Sequence, residues 1–399
     1  MSTFNSLDLI KACETGNVEW TIRLISCANK IWDDGLYSAC KYGHADVADL
    51  MINNGARNVN QGLSVACHNG FMDIAQLMLL RGANNIDTGL YYASEIGHAP
   101  LVTLLLQHGA EDIETAFEVA CSNGHREVID ILINAGVCEW EQGMINACEG
   151  GFIDIVRMLI SKTDEWTVES WNRGLTSGCS GGYMDIVQLI IDKAGDVPLD
   201  WNAGLNWACE GKNLDIVHLM ISKGANNFNE ALETACEYDD IECARLMISK
   251  GASQFEQGFV NACSQGCTDI VRLILTIDDS IDLNDGLVQA CANDNYDVVE
   301  LLVTKGGADL DVCIEMLNAQ YSYMKNSTAV LLVKHGADIE LIEKCSFTEE
   351  QLVYLYKCGV KHFGKYAKRI ESIKEESDYA EKIIVSFLLP GLTTLIMEY

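Results

Sequence analysis

Cysteine and histidine are the residues of this chain best suited to chemistry: it carries 17 Cys and 8 His. At ligand spacing they would hold zinc, beside a base they would act as nucleophiles, and in an oxidising compartment they would pair as disulfides. The nearest approach to a metal motif is Cys263-x-x-x-Cys267, and no second ligand pair follows it. His44, His98 and His125 each directly follow a glycine. No nucleophile, base and orienter stand at a spacing that would assemble a catalytic group, and the glycines form no phosphate loop. The chemistry to explain is therefore the placement of the cysteines.

That placement is a register. Taking Cys67 in "GLSVACHNG" as the anchor, the matching positions are Cys13, Cys40, Cys67, Ser94, Cys121, Cys148, Cys179, Cys209, Cys236, Cys263 and Cys291. They are separated by 27, 27, 27, 27, 27, 31, 30, 27, 27 and 28 residues, which accounts for ten of the 17 cysteines. A fixed period of this size marks a solenoid, whose units are too small to bury an apolar face alone. Cysteine at a packed position serves as a small hydrophobe.

The other columns predict a pair of helices per unit. Bulk lies four residues before the anchor (Leu36, Leu63, Leu90, Phe117, Met144) and alanine one before it, which share a face of a short helix. Seven before the anchor stand Asp33, Asn60, Asp87, Glu114, Glu141, Asn172, Asn202, Asn229, Glu256 and Asn284, read as helix caps or acids at the positive end of the dipole. Glycine three after the anchor predicts a left-handed helix stop. An acid three residues later opens a second helix of the type "DIVRMLI", which usually ends on Gly-Ala. A second helix so apolar must lie between neighbours.

The stretch "GLYSACKYGHADVADLMINNGA" resembles the ankyrin repeat, with Leu36, Ala39 and Cys40 at its inner-helix Leu-Ala-Ala and Gly43-His44 at its Gly-His turn. About eleven such units run to residue 310, and two worn ones follow, ending near Gly336-Ala337 and Gly359-Val360. The ankyrin unit is usually ~33 residues long with a Thr-Pro-Leu-His start and a β-hairpin finger. Here the period is 27 and that tetrapeptide is absent, so the fingers are expected to be mostly missing. This compact form is similar to the ankyrin-repeat proteins that large DNA viruses of amoebae encode. The resemblance implies an all-α solenoid over 1–360, a C-terminal helical cap or recruitment segment over 361–399, and binding through a concave inner-helix surface without catalysis. No cofactor or metal is expected.

Composition narrows the partner. With 58 Asp and Glu against 27 Lys and Arg the formal charge is -31, which repels a nucleic-acid backbone. The charge either keeps a monomer soluble or meets a basic protein. Cysteines with no disulfide pattern and no signal peptide predict an intracellular protein, placed by the viral resemblance in a host cytoplasm. The apolar run Ile383 to Met397 is broken by Pro390 and too short to span a membrane.

Binding residues are sought where the scaffold leaves the residue type free. Tyr91, Tyr92, Glu95, Trp207, Glu210, Glu237 and Tyr238 meet that condition, as do Val65, His68 and Asn69 in the anchor unit. Acids beside aromatic rings suit a basic, partly apolar peptide, although some of these rings could simply cover neighbouring units. Where the period lengthens, Asp164, Glu165 and Trp166 form a candidate contact patch on an inserted loop, unless the insertion is merely tolerated. The apolar column eight before the anchor, with Trp32, Trp140, Trp171 and Trp201, is assigned to packing between repeats rather than to an exposed row. From Lys357 to Lys374 the charge turns positive, as a solvated helix face or a docking segment. In the tail, Leu389, Pro390, Leu392, Leu395 and Ile396 either belong to a cap that seals the last repeat, or form an F-box-like segment that recruits a cullin ubiquitin ligase, or anchor in a membrane. The reading is a protein-binding scaffold, with a ligase substrate receptor or a virion-associated structural protein as alternatives.

Overall fold

The computed structural model describes residues 6–25, 31–320, 326–338, 348, 351 and 354–355. Among these residues there are 24 helices and no strand, the all-α repeat architecture expected. The tail residues Leu389, Pro390, Leu392, Leu395 and Ile396, the expected boundary after residue 360 and most of the last worn unit lie outside them. The chain forms two compact units, Met1–Gly211 (unit 1) and Lys212–Tyr399 (unit 2).

Unit 1 contains α1 (Ser6–Glu14), α2 (Val18–Ile25), α3 (Trp32–Tyr42), α4 (Ala45–Asn53), α5 (Val59–His68), α6 (Met72–Leu80), α7 (Ile86–Glu95) and α8 (Ala99–Gln107). It continues through α9 (Ile113–Ser122), α10 (Arg126–Ala135), α11 (Trp140–Gly150), α12 (Ile153–Ile160), α13 (Val168–Gly181), α14 (Met184–Ala194) and α15 (Trp201–Glu210). Unit 2 begins with α16 (Leu214–Lys223), α17 (Phe228–Glu237), α18 (Ile241–Ser249), α19 (Glu256–Gln265) and α20 (Thr268–Ile277). It goes on with α21 (Leu283–Ala292), α22 (Tyr296–Lys305), α23 (Leu310–Gln320) and α24 (Asn326–Lys334). Within each unit the odd-numbered, inner helices pack on one another, and α1 to α13 and α17 to α21 each pack also on the even-numbered helix that follows.

Helices of 8 to 14 residues are too short to persist alone, so packing must hold them. The bulky column supplies it: Leu36, Leu63, Leu90, Phe117, Met144, Leu175 and Leu205 in unit 1, and Leu232, Phe259 and Leu287 in unit 2, are at most 1% exposed. Each such side chain contributes roughly 1.5–3 kcal/mol. The anchor cysteines are equally buried. Their size is set by a column that escaped the sequence reading, the glycine or alanine five residues before the next anchor. A Cβ added at Gly62 or Gly89 would lie 3.2 Å from Cys40 Sγ or Cys67 Sγ, and one at Gly286 3.0 Å from Cys263 Sγ. The thiol of one repeat thus rests on bare helix backbone of the next.

The turn columns form a second inter-repeat contact. Gly16, Gly43, Gly70, Gly97, Gly124, Gly151, Gly182 and Gly266 all have positive φ, as the left-handed stop requires. The following residue reaches back to the previous repeat: His44 Nε2 donates to the Glu14 carbonyl at 2.9 Å and His125 Nε2 to the Glu95 carbonyl at 2.8 Å. His98 differs in accepting, through Nδ1, from Leu101 N at 3.2 Å. In unit 2, Asn295 Nδ2 donates to the Cys263 and Ser264 carbonyls at 2.9 and 2.7 Å.

Two expectations are corrected. The Asp/Asn column does not cap its own helix, because it lies one residue inside the first turn. Its side chains reach the following repeat instead: Asp33 Oδ1 accepts from Arg57 N and Asn58 N at 2.7 and 2.8 Å, and Asp87 Oδ1 from Glu111 N and Asp112 N at 2.7 and 3.1 Å. Asn229 and Asn284 do the same in unit 2. Glutamate at this position is a methylene longer, and Glu141 instead meets Arg173. Capping falls two residues earlier, on Asp112 for α9, Asp200 for α15 and Asp282 for α21. The insertion after Cys148 is also not simply a longer loop. Part of it becomes an added first turn of α13, which runs for 14 residues and is capped by Thr167.

Candidate inner-helix binding face

Side chains free for binding lie on the face of the inner helices turned away from the bulky and cysteine columns. On α5 and α7 that face gathers His68, Tyr91, Tyr92 and Glu95. The Tyr92 ring stands edge-on to His68 at 5.3 Å and to Tyr91 at 5.5 Å between centroids. Glu95 Oε2 lies 3.5 Å from His68 Nδ1, enclosed and without a hydrogen bond. The two tyrosines are half-buried, His68 is exposed, and Tyr37 and Tyr42 are exposed on neighbouring α3. Helix α5 carries Val65 half-buried and Asn69 exposed just past its end. Rings fixed by neighbours lose little further freedom when a partner covers them.

The face is electronegative one repeat further on. Glu118 of α9 has no ion pair among the described residues, and burial, then the charges of Asp112, Glu139 and Glu114, raises its carboxyl above the ordinary value. Like charges at this density favour a cation. Glu118 was not singled out in the sequence, because Glu139, one of the charges that acts on it, belongs to the next repeat.

The remaining residues are distributed differently. Trp207 is 43% exposed and Glu210 half-buried on α15, four repeats from α7. Glu237 and Tyr238 are exposed at the end of α17 in unit 2. Asp164 and Glu165 are exposed, whereas Trp166 turns inward: its indole N–H donates to the Ile160 carbonyl at 3.2 Å and its ring lies 5.7 Å from that of Trp171. The tryptophan column packs. Trp171 is buried, Trp32, Trp140 and Trp201 are half-buried, and Trp140 meets Phe117 edge-on at 6.0 Å.

Thiol chemistry is suppressed at most of the anchor cysteines. Burial pushes Cys40, Cys67, Cys148 and Cys179 up to about 12, so the nucleophilic thiolate is scarce at neutral pH. The Cys263–Cys267 pair has Cys236 nearby, and burial raises all three thiols. Among the described residues, no group of three or more His, Cys, Asp or Glu is arranged to hold a metal. Among those residues, too, no helix is long and apolar enough to cross a membrane.

Comparison with known proteins agrees with the geometry. Residues 63–142, which span α5 to the start of α11, match the family model for ankyrin repeats (3 copies). No curated protein matches the chain.

Proposed function

Taking as premise an all-α stack of ankyrin-type repeats, a module that generally mediates protein–protein interaction, we propose that the chain is an intracellular, non-catalytic binding protein. Its partner lies against the inner-helix face of unit 1 and presents basic and apolar side chains. The observation that carries this reading is the cluster of Tyr91, Tyr92, His68 and Glu95, beside an unpaired Glu118. The repeat columns prescribe none of these residue types, yet together they make a ring-lined, anionic surface. Lysine or arginine stems pack on tyrosine while their charges meet the carboxylates.

Proximity labelling in the native cell tests it, comparing the natural chain with Tyr92→Ala and, separately, Trp207→Ala. The partner set should collapse for Tyr92→Ala at unchanged protein level. If labelling is the same with Tyr92→Ala, the contact face is misplaced.

A further inference from the structure

The 27-residue period breaks twice within unit 1, and both breaks border one groove. Helix α13 begins eleven residues before its anchor Cys179, whereas α15 begins eight before Cys209. The added turn is held firmly. Thr167 Oγ1 accepts from Ser170 N at 3.1 Å and lies 2.8 Å from Ser170 Oγ, Ser170 is buried, and the Trp166–Trp171 contact closes the segment beneath it. Between this turn and the first turn of α15 lies an open groove of ≈ 430 Å³.

Its lining combines methyl groups with acids. Val168, Thr176 and Ala203 supply methyl groups, and Val168 remains 47% exposed although it belongs to a well-anchored helix. Glu169 and Asp200 flank them, and Asp164 and Glu165 are exposed in the segment just before α13. The one cation in the lining, Arg173, already meets Glu141 Oε1 at 3.2 Å and Gln142 Oε1 at 2.8 Å. An anionic ligand would therefore meet uncompensated carboxylates, whereas a cationic one would pair with them.

We infer that this groove seats an extended segment of a protein partner in which an aliphatic side chain is flanked by lysine or arginine. The aliphatic group covers Val168 and Ala203, and the flanking charges reach Glu169 and Asp200. The inference rests on partner binding as the function and adds a contact three repeats from Tyr92, roughly 30 Å away at ~10 Å per packed helix.

Methyl NMR on the full chain, labelled at valine, tests it with two blocked pentapeptides: alternating lysine and leucine, and the same peptide with serine for leucine. The leucine peptide should shift the Val168 methyl signals saturably, with at least ten-fold higher affinity than the serine peptide. Glu169→Gln with Asp200→Asn should weaken it several-fold; asparagine keeps the oxygen that caps α15, and circular dichroism confirms the fold. Unmoved Val168 signals, equal affinities for the two peptides, or an unaffected double variant would each overturn the proposal. Tyr92→Ala should leave the Val168 response intact, so failure here and failure of the α5–α7 face are separately visible.

Discussion

After α1, α3, α5, α7, α9 and α11 of unit 1 the turn is glycine with a ring laid over it, whereas in unit 2 the turns at Lys212, Asp239 and Asp294 carry a side chain. A Cβ at Gly16 or Gly97 would fall 2.3 or 2.4 Å from the imidazole of His44 or His125, and one at Gly151 2.5 Å from the ring of Tyr183. In unit 2, Lys212, Asp239 and Asp294 adopt the same left-handed conformation, with φ of 55, 55 and 59°. Asp240 follows Lys212 by one repeat, and Cys267 follows Asp239, in place of the rings. Glycine in unit 1 thus answers two demands, a left-handed φ and room for a ring. The turns of unit 2 that lack glycine answer only the first, at a cost of about 1–2 kcal/mol per residue.

The largest expected effect comes from breaking a turn of unit 1. Gly97→Ala combines left-handed strain with overpacking against His125 and should lower stability by about 2–4 kcal/mol, read as the urea midpoint by circular dichroism. Importing the arrangement of unit 2 sharpens the comparison. Gly97→Asp with His125→Cys should recover at least ~1 kcal/mol of what Gly97→Asp loses alone, since the added side chain then has space. Strict additivity would show that ring and glycine are not coupled.

The core offers a middle-sized effect. Cys67→Ser should cost about 1–3 kcal/mol by leaving a buried hydroxyl without a partner. Nature has run that experiment once, at Ser94, whose Oγ is buried and unpaired. Ser94→Ala should therefore be neutral or stabilising by up to ~1 kcal/mol, and a loss of more than that would mean that Ser94 has a partner in solution.

How much of this was legible in the sequence depended on distance along the chain. The helix pairs, the buried leucines and the glycine stops repeat at fixed offsets, so Cys67, Leu63 and Gly70 could be placed from periodicity alone. What could not be placed are contacts across one repeat. Asp33 reads as a cap because Asp caps helices, and only its 2.7 Å contact with Arg57 N shows it to be a tie. The glycine against each thiol was visible in "GLSVAC" but had no partner until the repeats were stacked. In the candidate site, Tyr91, Tyr92 and Glu95 could be named from column variability. Val168 could not, because a length excess of four residues does not say whether it becomes loop or helix.

A smaller effect, of opposite sign, belongs to unit 2. Lys212→Gly removes the left-handed strain and should raise stability by about 0.5–1 kcal/mol, part of the gain being lost to the freer unfolded chain. The side chain also makes an exposed bond from Nζ to the Asp239 carbonyl at 3.2 Å, which is too weak to reverse the sign. If the midpoint falls, the lysine is held by more than backbone necessity, and the contrast between the two units narrows.

The smallest effect is electrostatic and returns to unit 1. Glu118 has its carboxyl raised by burial and by Asp112, Glu139 and Glu114. A raised carboxyl pKa means that the folded state binds the proton more tightly than the unfolded chain does, so ionisation opposes folding at neutral pH and ceases to do so below the unfolded value. Glu118→Gln should accordingly raise the unfolding midpoint slightly at pH 7, and the gain should vanish as pH falls through the raised value towards the ordinary glutamate range. Because the side chain is only half-buried, solvent and salt still screen the effect, and added sodium chloride should shrink it further. The same substitution should weaken a basic partner, so Glu118 would be a residue whose charge costs stability and gains binding. A gain in stability with no loss of partner would leave Tyr91, Tyr92 and Glu95 as the whole of the contact.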